Sequence, residues 1–153
     1  MALCMMLLAS FVIAPVSASA KVVKIMKVNV KGARLRSGPG ASSIKKPSLK
    51  KGEKVFYSGK QVHAFCYVRT ASGRTGYVYK PYLSSYGAVN SKQVYYAKKA
   101  TTMYKKARKS SRRVGRLSKK QHVLVYETRG NWAYIKTLSG KGGFVKFSNL
   151  RRV

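Results

Sequence analysis

Acidic residues are almost missing from this chain. It holds two glutamates, Glu53 and Glu127, and no aspartate, against 33 lysines and arginines, for a net charge of +31. Two carboxylates cannot neutralise that excess through internal salt bridges, so the cations are directed at anionic partners and weaken the compact state in their absence. Histidine and cysteine are as scarce, with His63, His122, Cys4 and Cys66 making up the whole supply. A three-histidine or histidine-carboxylate metal site would need nearly every candidate to converge. A Cys66–His63 nucleophile pair is the remaining arrangement, but residues three apart on a strand face opposite sides. The expectation is therefore a protein without catalytic residues, metal or cofactor. No stretch shows sustained helical periodicity, which argues against a helical fold.

The stretch "MALCMMLLASFVIAPVSASA" contains no charge and ends in Ala18-Ser19-Ala20. It has the apolar run and small-x-small ending of a secretory signal, with cleavage expected before Lys21. The apolar run from Ala2 to Ala14 is interrupted by Pro15, and a membrane-spanning helix needs about 20 apolar residues. A secreted or cell-wall-associated chain follows, with no transmembrane segment after cleavage. Cys66 is then the lone thiol, which excludes an intramolecular disulfide.

An internal repeat organises the rest. "TASGRTGYVYKPYL" from Thr70 to Leu83 lies over "TLSGKGGFVKFSNL" from Thr137 to Leu150, at an offset of 67. Upstream, Ser42-Ser43 and Leu49 match Ser110-Ser111 and Leu117 at 68, which requires one residue to be lost, expected near Arg129-Gly130. Repeats of this kind decide architecture first. In each copy, short β-rich runs are separated by turn residues: Val55 to Tyr57, Ala64 to Thr70, a turn at Ser72-Gly73, then the strand Tyr77-Val78-Tyr79. "KVVKIMKVNV" reads as a half-buried strand, "GARLRSGPGASS" as a long loop, and Ser84 to Lys92 as a short polar linker. Two all-β units follow, residues 21–83 and 93–153, behind a signal peptide at 1–20 and joined by a linker at 84–92. Units so small have thin cores, and closing the strands into a small barrel removes most unpaired edges.

These residues resemble the bacterial SH3-like (Src homology 3) domain. The resemblance rests on Arg36-Ser37-Gly38-Pro39, Leu49-Lys50-Lys51-Gly52 and Gly76-Tyr77-Val78, in that order, and covers about Val22 to Leu83. The second copy keeps Leu117-Ser118-Lys119-Lys120, Trp132 and Gly143-Phe144-Val145, but replaces the Gly-Pro loop by "TTMYKKARKSS", which puts that loop's conformation in question. The resemblance implies two tandem small barrels of five or six strands and attachment to bacterial cell wall.

Two kinds of binding residue stand out. In Phe65 to Arg69, alternation places Cys66 and Val68 on one face and Phe65, Tyr67 and Arg69 on the other. The second copy sets Ala133 and Ile135 opposite Trp132, Tyr134 and Lys136. Cys66, aligned with Ala133, is expected to be a small apolar filler. Phe65, Tyr67, Tyr79, Trp132 and Tyr134 are the candidates for a groove whose flat rings pack peptide or glycan. The densest charge lies in "YKKARKSSRRVGRLSKK", where Lys105, Lys106, Arg108, Lys109, Arg112 and Arg113 are the candidates for holding an anionic polymer such as teichoic acid or peptidoglycan carboxylates. A secretory signal and the absence of nucleic-acid-binding signatures argue against nucleic acid. The expected function is a secreted, non-catalytic protein bound to cell wall. The alternative is a secreted effector that binds a host polyanion or another protein.

Overall fold

The computed structural model describes residues 22–153, so the expected signal peptide lies outside the described residues. Fourteen strands follow in order. They are β1 Val22–Val28, β2 Ala33–Arg36, β3 Lys45–Leu49, β4 Lys54–Val62, β5 Phe65–Thr70, β6 Thr75–Tyr79 and β7 Leu83–Asn90, then β8 Val94–Ala97, β9 Thr101–Tyr104, β10 Arg113–Leu117, β11 His122–Arg129, β12 Trp132–Thr137, β13 Gly142–Lys146 and β14 Leu150–Arg152. Helix is confined, among the described residues, to three-residue 3-10 turns. The expected all-β class holds.

The strands form two antiparallel seven-stranded sheets, ordered β3-β2-β6-β5-β4-β1-β7 and β10-β9-β13-β12-β11-β8-β14. The second order is the first with seven added to each label. The sequence repeat is therefore a repeat of topology, and each sheet has one or two strands more than the expected five or six. In the first sheet, Val28, Leu35, Leu49, Val55, Cys66, Val68, Val78 and Leu83 form one core. All seven strands contribute to it, which requires the sheet to curl around its own inner face. Met103, Leu117, Val123, Ile135, Val145 and Leu150 do the same in the second.

Local chemistry repeats as well. Thr70 and Ser72 hydroxyls lie 3.0 Å apart and the Arg74 amide donates to Thr70 Oγ1 at 3.0 Å, matched by Thr137–Ser139 at 2.8 Å and Lys141 to Thr137 at 3.0 Å. The glycine that both copies place ahead of the aromatic-valine pair, in β6 and β13, has a steric reason. A Cβ on Gly76 would stand 2.5 Å from the Arg36 carbonyl oxygen and 2.8 Å from Leu35, and one on Gly143 would meet Val114 at 2.8 Å. At the turn before β4, Gly52 has φ +84, and its counterpart before β11 is Lys120 with φ +65. A lysine there occupies a conformation that costs an L-residue about 1–2 kcal/mol.

Several sequence expectations are corrected. Residues 84–90 are not linker but most of β7, antiparallel to β1 from Val22↔Asn90 to Val28↔Leu83. Their backbone completes the first sheet although their side chains bury little. The long loop is shorter than expected because Ala33 and Leu35 alternate inward to make β2. The residue lost between copies sits inside a strand: β4 bulges between Tyr57 and Gln61, where β11 has a smaller bulge between Val125 and Glu127. Trimming a bulge leaves the hairpin register intact, whereas a deletion at Arg129-Gly130 would alter the turn.

The two units touch directly. Ile25 and Phe56 of the first pack with Val94, Leu124 and Leu138 of the second, and the His122 amide donates to the Ala71 carbonyl at 2.7 Å.

Candidate functional site

The alternation read in β5 and β12 is present. Cys66, Val68 and Thr70 are buried while Phe65, Tyr67 and Arg69 are half-buried on the opposite face. Register then assembles the aromatic surface, because Phe65 lies opposite Tyr79 and Tyr67 opposite Tyr77 on β6. The rings meet at 5.6 Å for Phe65–Tyr79, 5.1 Å for Tyr67–Tyr77 and 5.2 Å for Tyr79–Tyr82. Three of the five site aromatics, Phe65, Tyr67 and Tyr79, thus lie in one row across β5 and β6. Lys60, on the β4 arm, stands 5.8 Å and 5.9 Å above the Tyr67 and Tyr77 rings.

The second unit repeats the central pair and changes the outer one. Tyr134 lies opposite Phe144 with rings 5.2 Å apart, and Arg129 reaches over Phe144 at 5.6 Å. Trp132 lies opposite Lys146, which replaces Tyr79 of the first unit. Here the expectation of an outward indole is corrected, since Trp132 is only 8% exposed. It remains on the outer face of the sheet but is covered there. Tyr104 of β9 meets it edge-on at 5.6 Å, and Lys146 Nζ lies 4.8 Å from its ring centre. Tyr104 and Lys146 went unread in the sequence. The only signal for Lys146 was its alignment with Tyr79 at an offset of 67.

Beside Trp132 is a hollow of about 230 Å³, lined by Thr101, Thr102, Tyr104, Lys109, Lys146 and Asn149. Lys109 belongs to the basic β9–β10 loop, so this hollow joins the two sets of candidates. Lys105, Lys106, Arg108, Lys109, Arg112 and Arg113 are all exposed. Their loop keeps the frame of its glycine-proline counterpart. The Lys105 amide donates to the Arg112 carbonyl at 2.8 Å as Ser37 does to Ile44 at 3.0 Å, and Ser111 donates to Arg108 at 3.2 Å as Ser43 does to Gly40 at 3.3 Å. Loss of Gly38 and Pro39 equivalents has therefore kept these two closing bonds while changing those inside the loop, where the Lys106 amide now donates to Ser111 Oγ at 2.9 Å and the Arg108 amide to the Lys106 carbonyl at 2.8 Å. The two carboxylates are engaged locally: Glu53 accepts from the Lys50 amide at 2.9 Å and Glu127 pairs with Arg129 at 2.6 Å. The loop cations have no acidic partner among the described residues.

The other candidate chemistry is dispersed. Cys66 is buried, with burial pushing its thiol pKa upward, whereas His63 sits exposed on the β4–β5 turn at φ +49. The two do not form a nucleophile pair. Among the described residues no group of three or more metal-ligating side chains occurs, and no helix is long and apolar enough to cross a membrane.

Comparison with known proteins places a family within this frame. Residues 31–84 match the family model of the bacterial SH3 domain. No curated protein matches the chain. Among solved structures it is similar to NlpC2 and NlpC1 from Trichomonas vaginalis, at 12% and 14% identity and a TM-score of 0.37 for each. The alignments cover 84% and 88% of this chain, which spans about half of each of those chains (48%).

Proposed function

We propose, from the bacterial SH3 domain that residues 31–84 form, that this chain is a non-catalytic binding protein that attaches to the bacterial cell wall outside the membrane. The observation that carries the proposal is the hollow beside Trp132, where Lys109 of the basic loop, Lys146, Tyr104 and Trp132 line one space. An anionic group held by two ammonium groups against an aromatic wall, with Thr101, Thr102 and Asn149 supplying hydrogen bonds, is the chemistry of a charged glycan or a phosphate-bearing polymer. The exposed loop cations draw such a polymer in, and the row of Phe65, Tyr67 and Tyr79 offers a second stacking surface on the first unit.

Electrostatic capture of this kind is screened by salt, with a Debye length of about 8 Å at physiological ionic strength. The test is sedimentation with purified peptidoglycan, with and without its teichoic acid, at low and high salt. Binding to both materials, weakened by salt and by Lys109→Gln with Lys146→Gln, is the expected result. Binding restricted to polyanion-bearing material would reduce the interaction to charge alone, and retention unaffected by salt would overturn it. Trp132→Ala is the wrong probe, because truncating a buried tryptophan costs about 3–5 kcal/mol of stability.

A further inference from the structure

Where the two units meet, the outer face of β4 and β5 is left unfilled. A cleft of about 300 Å³ opens there, between Val23, Phe56, Ser58, Tyr67, Val68 and Arg69 of the first unit and Val94 and Val153 of the second. That volume lies at the lower end of small-molecule sites. Arg69 is the single charged side chain lining it. It is half-buried and has no acidic partner, since the one salt bridge among the described residues is Arg129–Glu127. Its guanidinium meets His122 Nε2 at 3.4 Å. An imidazole is neutral or cationic and supplies no counter-charge to a guanidinium; burial and the adjacent Arg69 push the His122 pKa below the usual histidine value.

An unpaired guanidinium against apolar walls fits an anionic group carried on an apolar body. The guanidinium is planar, weakly hydrated and shaped to take a carboxylate through two hydrogen bonds. We propose that the cleft between the units binds a small amphipathic carboxylate, its charged end on Arg69 and its apolar body between Val23, Phe56 and Val94. Ser91 provides a hydroxyl for a polar substituent, while Ser58 stands on the exposed rim with its hydroxyl donating to the Tyr67 carbonyl at 3.2 Å. The site is separate from the hollow beside Trp132, and it shares only Tyr67 with the aromatic row of the first unit. Two sources carry this chemistry: the carboxyl end of a short apolar peptide, and a short-chain fatty acid.

The experiment is an amide chemical-shift titration of the full chain with N-acetyl-dialanine, hexanoate and, as a neutral control, hexanamide. Saturable shifts confined to the residues around Phe56, Arg69 and Val94 are expected for at least one carboxylate, and whichever binds tighter identifies the source. Hexanamide should bind about tenfold more weakly or worse, the change expected on losing a charge-assisted hydrogen bond. Arg69→Gln should cost a similar factor, with partial recovery in Arg69→Lys. Ser58→Trp blocks the rim without touching the guanidinium and keeps the test valid if Arg69→Gln disturbs the fold. Shifts spread along the basic loop, an equal response to hexanamide, or binding unchanged in both Arg69→Gln and Ser58→Trp would overturn the proposal. Sedimentation of the same variants with cell wall reports separately on the Trp132 hollow.

Discussion

Acidification should loosen this protein through one residue. His122 is 6% exposed, packed against Phe56 and Tyr96 at ring separations of 6.1 and 5.8 Å, and its Nδ1 has no hydrogen-bond partner. Burial first, then the adjacent Arg69, lowers its pKa. The unfolded chain therefore takes up a proton at this histidine at higher pH than the folded one does. Stability is full above the unfolded value of about 6.5 and falls as pH drops towards the depressed folded value, by at most about 1.4 kcal/mol per pH unit. From pH 6.5 to 5 the loss is bounded at about 2 kcal/mol. Few other groups obscure it, because the chain has two glutamates and no aspartate. Urea melts followed by Trp132 fluorescence across this range should show the decline, and His122→Phe, which fills the same space with an apolar ring, should flatten it. An equal slope in His122→Phe, or stability that rises on acidification, would refute the assignment.

Three further outcomes are expected. Lys120→Gly should raise stability by about 0.5–1 kcal/mol in urea melts, because it relieves the positive φ that Gly52 accommodates in the first unit, less the entropy cost of glycine. Gly76→Ala should lower stability by at least about 2 kcal/mol, since the contacted atom is the Arg36 carbonyl oxygen and a backbone cannot step aside as a side chain does; a neutral result would mean β2 and β6 are not so closely apposed. Cys66 should resist thiol reagents at pH 8 until the chain unfolds, and Cys66→Ala should leave cell-wall sedimentation unchanged, as labelling followed by mass spectrometry and the sedimentation assay would show.

What the sequence disclosed follows from where side chains carry the structural information. The repeat was visible because turn residues and inward aliphatics recur at a fixed offset, and the two faces of β5 and β12 were visible because alternation there is strict. Strand β7 was hidden because Ser84, Ser85 and Gly87 show no alternation; β1 recruits that segment through its backbone. Strand β3 was hidden by Pro47, which an edge strand tolerates because its amide side needs no partner. The indole of Trp132 was placed on the correct face, but its cover comes from Tyr104 on a strand two places away in the sheet order, which periodicity within β12 cannot report. The cleft at Arg69 was likewise illegible, because part of its wall, Val94 and Val153, belongs to the other unit.

The bond from the His122 amide to the Ala71 carbonyl, with Phe56 and Leu124 packed beside it, gives the molecule the properties of a ruler rather than of beads on a string. A flexible tether lets a second site search for its target, and its gain in avidity tracks tether length. Were both units to bind the wall as proposed, a fixed spacing would reward only those surfaces whose anchoring groups recur at the matching interval. Soluble fragments too short to span both units would then compete poorly, however well they fit either one.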